Sequence, residues 1–223
     1  MKIAIVLGTR PEIIKMSPVI RECERLGLDY FILHTGQHYS YNMDRVFFDQ
    51  LGLPQARYNL DVGSCSHAEQ TGRILIGVEK VLVDEVPDVV LVEGDTNSVL
   101  AGALAACKLG IEVGHVEAGL RSYDRRMPEE VNRVLADHCS DYLFAPTEKS
   151  RMILLGEGLL QARIFVTGNT IVDAVHQNLE IAEKKGDALD GFGLSRGGYF
   201  LATVHRQENV DDEGRFSSIL RGL

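Results

Sequence analysis

Val89-Val90-Leu91-Val92-Glu93-Gly94-Asp95-Thr96-Asn97 is the run on which the fold turns. Its apolar residues make a short strand with no polar face. Glycine and two capping residue types follow, and a helical pattern runs over 97–108. Ile111 to Val116 is the next apolar strand, ending in Glu117. Strands this apolar, separated by a helix, belong to a parallel sheet covered on both faces.

The same alternation extends in both directions. Strands are expected at Ile3–Leu7, Tyr30–His34, Tyr142–Ala145 and Ile164–Val166, with helices near 11–26, 41–51, 66–85, 129–139 and 148–156. Thr170 to Lys185 reads as one further helix, and a loop rich in Gly and Asp follows from Gly186 to Gly198. The composition changes there, so a domain boundary is placed near 187: residues 1–186 form one α/β domain and 187–223 begin another. Tyr199–Val204 is expected as a strand, with a helix from about Asp211. One strand and one helix cannot make a second core. Either they pack on the first domain or the chain is the front part of a longer protein.

The chain has 223 residues, 45% of them hydrophobic, and a formal net charge of -9. That charge excludes nucleic acid or an acidic membrane as main partner, since both want a basic face. Local positive charge at Arg10, Lys15 and Arg121–Arg126 suits a small anion instead. Cys23, Cys65, Cys107 and Cys139 show neither close pairing nor metal spacing, as expected of reduced thiols in a cytoplasmic protein. The apolar start is only of strand length, so neither a signal peptide nor a membrane span is expected.

Open α/β sheets bind ligands at the carboxyl ends of their strands, and the polar residues gather there. Gly8-Thr9-Arg10-Pro11-Glu12 follows the first strand and opens a helix, whose free N–H groups suit an anion; the glycine allows close backbone approach to a ligand. The spacing is neither that of a P-loop nor of a dinucleotide fingerprint. Thr35-Gly36-Gln37-His38-Tyr39 offers polar groups to sugar hydroxyls or a ribose. Asp95 and Glu117 end neighbouring strands, as acid/base pairs do. Glu117 continues a buried strand and so requires a partner. Pro128 starts the next helix, with Glu129 and Glu130 behind it. First-turn glutamates favour the helix dipole by about 0.3–1 kcal/mol, which leaves a purely structural role open for one of the two. His205-Arg206, past the last strand, suits a phosphate contact.

Taken together, Gly-Thr-Arg-Pro-Glu at 8–12, Thr-Gly-Gln-His at 35–38, Gly-Asp-Thr at 94–96 and His-Val-Glu-Ala-Gly-Leu-Arg at 115–121 resemble the non-hydrolysing UDP-N-acetylglucosamine 2-epimerases. Pro-Glu-Glu-Val-Asn-Arg at 128–133, Pro-Thr-Glu at 146–148, Thr-Gly-Asn at 167–169 and Val-His-Arg at 204–206 continue the series in family order. The resemblance implies two Rossmann-like domains facing across a cleft, as in type B glycosyltransferases, with the second domain largely missing from this chain. It implies interconversion of UDP-GlcNAc and UDP-ManNAc without nicotinamide or a required metal, in a homodimer. Asp95, Glu117 and Glu129 match its acidic catalytic positions and His205 its catalytic histidine; Arg10 and Lys15 match substrate contacts, to which His38, Arg121 and Arg206 are added. Glu93 departs from the glutamine expected before Gly-Asp-Thr and adds a negative charge next to Asp95. Two other outcomes compete: a hydrolysing relative releasing ManNAc and UDP, and a sugar-nucleotide-binding module without turnover.

Overall fold

Every residue from Ile3 to Leu7 is buried, which a strand achieves only when both faces of its sheet are covered. In β1 (Lys2–Leu7), Ile3, Ile5 and Leu7 point to one face, Ala4 and Val6 to the other. The computed structural model describes residues 1–36, 41–185, 188–204 and 207–223, which fall into two compact units, Met1–Ile181 and Ala182–Leu223.

The first unit is a Rossmann-like α/β fold. It adds β2 (Asp29–His34), β3 (Tyr58–Asn59), β4 (Val89–Glu93), β5 (Glu112–Val116), β6 (Tyr142–Ala145) and β7 (Ile164–Val166). All pair in parallel, in the order β3-β2-β1-β4-β5-β6-β7. One face of β1 is covered by Ile13, Met16 and Ile20 of α1 (Arg10–Leu26) and by Phe48 of α2 (Tyr41–Leu51). The other is covered by Ile74, Val78 and Leu82 of α3 (His67–Glu85) and by Val99 and the alanines of α4 (Asn97–Lys108). Further along lie α5 (Pro128–Cys139), α6 (Glu148–Gly156) and α7 (Thr170–Lys185), whose last turn belongs to the second unit.

The strand order reverses between β1 and β4. From β1 the chain winds outward through β2 and β3, then returns to β1's other side and continues from β4 to β7. Ligands bind in the crevice that such a reversal opens beyond the strand ends. The loops after β1, β4 and β5, which carry the sequence motifs, border that crevice.

Two local expectations differ from the structure. Tyr58–Asn59 forms a two-residue edge strand, too short to leave a periodic signal. Tyr199–Val204 is not a strand: it is irregular, with Phe200 and Leu201 exposed. A strand exists only through hydrogen bonds to a neighbour, and the described residues of the second unit contain no other strand. That unit holds α8 (Ala188–Gly191), α9 (Gln207–Val210) and α10 (Glu213–Gly222). Asp212 caps α10 by accepting from the Arg215 N–H at 2.8 Å, so the helix begins at Glu213, close to its expected start.

Gly119 marks where the turn after β5 has no slack. Its φ is +81°, and a Cβ there would lie 2.6 Å from the Ser150 carbonyl oxygen and 2.9 Å from Leu154 Cγ. Gly119→Ala is therefore expected to cost about 2–5 kcal/mol, from left-handed backbone strain plus overpacking. Urea unfolding of the 223-residue chain measures this; an unchanged midpoint would show that the turn can rearrange.

Candidate active site

Between β1 and α1 the chain brings unbonded N–H groups to the sheet end, and Glu12 collects them. Its buried carboxylate accepts from the Gly8 N–H, from the Thr9 N–H at 2.9 Å, and from the Thr96 hydroxyl at the start of α4. The two loops on either side of the strand-order reversal are thus tied through one side chain. Burial drives the Glu12 pKa up to about 7, against hydrogen bonds from Thr96, Gly8 and Thr9 that lower it. Gly8 also meets a packing need. A Cβ there would sit 2.0 Å from Ser98 Oγ and 2.3 Å from Thr35 Oγ1, two hydroxyls that bond each other at 2.7 Å.

One turn beyond Glu12, α1 presents Lys15. Its ammonium donates to both oxygens of Glu117, at 2.9 and 2.8 Å, and lies 2.9 Å from Glu93 Oε1. Burial works against the Lys15 charge, but Glu93 and Glu117 outweigh it and the pKa is raised. Burial pushes the Glu93 carboxyl well above the usual carboxylate range, with Lys15 opposing and Glu117 adding to the rise. Glu117 thus has the partner its position demands. Its backbone is left-handed, φ +70°, a conformation that costs a non-glycine residue about 1–3 kcal/mol and concentrates at functional sites.

Asp95, on the next loop, is held from α5. Arg133 pairs with its carboxylate, and Asn132 Nδ2 donates to its backbone carbonyl at 2.9 Å and to Asn97 Oδ1 at 3.2 Å. The two glutamates ahead of them divide the work. Glu130 is buried and accepts from Ser122 N–H and Oγ–H at 2.9 Å and from Tyr123 N–H at 3.0 Å, so it braces the loop before the helix. Glu129 is exposed, and among the described residues its side chain makes no hydrogen bond or ion pair. Of the two, Glu130 is the structural one.

Beneath these loops lies a buried network built from the ends of two motifs. His115 Nδ1 is 2.7 Å from Asp137 Oδ1, and its Nε2 is 2.8 Å from the carbonyl oxygen of Gly94, the residue before Asp95. Asp137 Oδ2 accepts from the Gly119 N–H at 3.2 Å and pairs with Arg121 Nη2 at 2.7 Å, while Arg121 also reaches Glu157. Burial opposes both charges, yet mutual attraction raises the His115 pKa and lowers that of Asp137. His115 therefore links the Asp95 loop to the turn after Glu117.

The structure joins Lys15 directly to Glu117, and connects Asp95 to the Glu12 loop through Thr96. Arg10 is exposed at the first position of α1, 5.8 Å from the Phe47 ring centroid. Arg121 does not join the open group: its side chain is 1% exposed and occupied by Asp137 and Glu157. His38, His205 and Arg206 lie outside the described residues. Glu12, His115 and Asp137 were not singled out from sequence. Glu12 carried a usable signal, sitting three residues after Thr9 as in a capping box; the 22-residue separation of His115 and Asp137 carried none. Among the described residues, no group of three or more His, Cys, Asp or Glu is placed to hold a metal ion. The cation beside Glu93 and Glu117 is the Lys15 ammonium. No helix among the described residues is long and apolar enough to cross a membrane.

A family model described as UDP-N-acetylglucosamine 2-epimerase matches residues 21–223. The chain belongs to that family. It is 59% identical, over its whole length, to a UDP-N-acetylglucosamine 2-epimerase of Methanocaldococcus jannaschii, and 46% identical to a UDP-2,3-diacetamido-2,3-dideoxy-D-glucuronate 2-epimerase of Pseudomonas aeruginosa. It spans 62% of the length of each of these relatives. A crystal structure of the M. jannaschii epimerase, in complex with UDP-GlcNAc and UDP, superposes with a TM-score of 0.89 at 59% identity, over all of this chain and 61% of that one. In this epimerase-family chain the buried His115, Arg121 and Asp137 hold the loops that carry the half-buried Asp95 and Glu117.

The buried network sets a stability window. His115, with a pKa raised from 6.5, contributes stability that is complete below that value and lost as pH rises through its folded pKa. Asp137, lowered from 3.8, contributes stability present above that value and lost as pH falls through its folded pKa. The joint contribution is therefore greatest between pH 3.8 and 6.5. Asp137→Asn is expected to lower stability at pH 6 by about 3–5 kcal/mol, the usual result of removing one buried partner. It should also flatten the alkaline decline that His115 causes. Urea unfolding at pH 6 and at pH 9 tests both; an undiminished alkaline slope would mean that another group titrates there.

Proposed function

We propose that the protein to which this chain contributes is a non-hydrolysing UDP-GlcNAc 2-epimerase, inverting C2 of UDP-GlcNAc to give UDP-ManNAc by elimination and re-addition of UDP. The observation that carries this reading is the pairing of Lys15 with a left-handed Glu117 at the strand-order reversal, in the same set of loops as Asp95. Family membership supports it, and so does the higher identity to the relative named for UDP-GlcNAc than to the one named for the diacetamido uronic acid.

The C2 hydrogen of a GlcNAc unit is not adjacent to a carbonyl, so direct deprotonation is very unfavourable. Departure of UDP from C1 places positive charge at the anomeric carbon and makes C2–H acidic enough for a carboxylate. A glycal forms; reprotonation on the other face and return of UDP complete the inversion. Such a reaction needs carboxylates near C1 and C2, and cations around the leaving diphosphate. Asp95, Glu117 and Glu129 supply the first in our assignment. Arg10, Lys15, His205 and Arg206 supply the second, and His38 contacts hydroxyls. Arg121 is reassigned to bracing Asp137. No nicotinamide or metal enters this scheme.

The division we propose remains 1–186, with α7 as connecting helix, and 187–223 as the beginning of a second Rossmann-like domain. The whole protein is proposed to be a cytoplasmic homodimer. Free Cys23, Cys65, Cys107 and Cys139 accord with a reducing compartment, and light scattering reads the oligomeric state.

In a chain extended to the relatives' length and run in deuterated water, deuterium is expected at C2 of the product. Transient oxidation at C4 would leave protium there and sink the elimination scheme. Steady accumulation of free ManNAc and UDP would assign the hydrolysing reaction instead, and UDP-sugar binding with no product would leave a binding module. Asp95→Asn and Glu117→Gln should each lower turnover by roughly 10²–10⁴ with the fold intact. Near-normal turnover in either variant would remove that residue from the chemistry.

A further inference from the structure

Lys15 is held by two carboxylates in two different ways. Its aligned hydrogen bonds go to the two oxygens of Glu117. Glu93 Oε1 is as close, 2.9 Å from the same nitrogen, but less well aligned, and among the described residues it has no other partner. Glu93 thus acts on Lys15 chiefly through its charge. Its side chain is 1% exposed, against 12% for Glu117 and 23% for Lys15, so it sits on the inner side of the ammonium. As the last residue of β4, it is registered with Val116, immediately before Glu117.

Such a residue is costly to keep. A buried carboxylate without an aligned donor loses its hydration and gains only Coulomb attraction. The other charges facing it do not help. Glu12 approaches from α1 and Glu117 from the loop after β5, and both repel it; among the described residues Lys15 alone attracts. A purely structural position would be more stable with a neutral side chain of the same shape.

We propose that Glu93 is a positioning residue, whose buried charge draws the Lys15 ammonium to the end of β4 and so holds Glu117 in a single orientation toward the crevice. The proposal rests on Glu117 acting in the reaction proposed above. With Glu93 neutral, Lys15 keeps Glu117 as its only anchor and the pair is free to swing outward together. Because burial holds Glu93 above the usual carboxylate range, acidification neutralises it ahead of the ordinary carboxylates, and Lys15 is released from the inner side.

Glu93→Gln isolates the charge, since the amide keeps the shape. Its stability has a definite sign. A carboxyl whose folded pKa is raised costs stability above its unfolded value, so the glutamine variant should unfold at a higher urea concentration than the parent at pH 7. Over the same change, kcat in the extended chain should fall about tenfold to a hundredfold, as small misplacements of a reacting group do. The acid limb of kcat against pH should lose one ionisation. On the 223-residue chain, without any assay, ¹⁵N NMR of the Lys15 ammonium should give a sharp signal in the parent that broadens on acidification, and a broad one in Glu93→Gln at every pH. A glutamine variant with a lower urea midpoint would show that Glu93 is structural. An unchanged ammonium signal, or an unchanged acid limb with full kcat, would overturn the positioning role. The NMR and unfolding results stand whether or not the extended chain proves to be an epimerase. Failure of the epimerase reading and failure of this one are therefore separable.

Discussion

Asp137 carries a charge at 0% exposure, and much of the site's geometry depends on how that charge is met. Three donors converge on it: His115 from β5, the Gly119 N–H from the turn, and Arg121 from the loop beyond. A buried carboxylate is tolerable only when its lone pairs are filled this way. Filling them pins α5 against β5 and fixes the loop between them. The second ring nitrogen of His115 then extends the constraint across the sheet to the Gly94 carbonyl, so the loops bearing Asp95 and Glu117 share one anchor.

Above that anchor the arrangement changes from balanced to unbalanced charge. Among the described residues Lys15 is the cation paired with Glu93 and Glu117, Glu12 meets only hydrogen-bond donors, and burial raises the pKa of both Glu12 and Glu93. The region nearest the strand-order reversal is thus short of positive charge, and Glu117 adopts a left-handed backbone there. Stability arguments alone favour neither feature. Both are what a site looks like when the fold is asked to hold acidic groups ready beside a basic one.

The parts of this architecture legible in the chain were those written in local periodicity. The apolar runs at 89–93, 142–145 and 164–166 became strands with those bounds, and parallel pairing followed from their lack of a polar face. The polar clusters after Leu7, Glu93 and Val116 were legible too, because punctuation by Gly, Asp and Pro at strand ends is a local signal. Site roles were legible less evenly. Glu129 and Glu130 are alike in sequence, and only packing made one a brace and left the other exposed. Arg121 read as a free cation but is enclosed by Asp137 and Glu157.

Sequence by itself determined which segments are strands and helices, which residue types stand at the strand ends, and, through the order of its motifs, the family. Tertiary structure alone decided that β1 lies between β2 and β4, that Lys15 falls between Glu93 and Glu117, and that His115 meets Asp137. It also left Tyr199–Val204, as apolar as several real strands, without strand structure among the described residues. The reason is the same in each case. Side-chain periodicity records which face of an element is buried, whereas a hydrogen bond or an ion pair needs a second group, and where that group lies is set only when the sheet assembles.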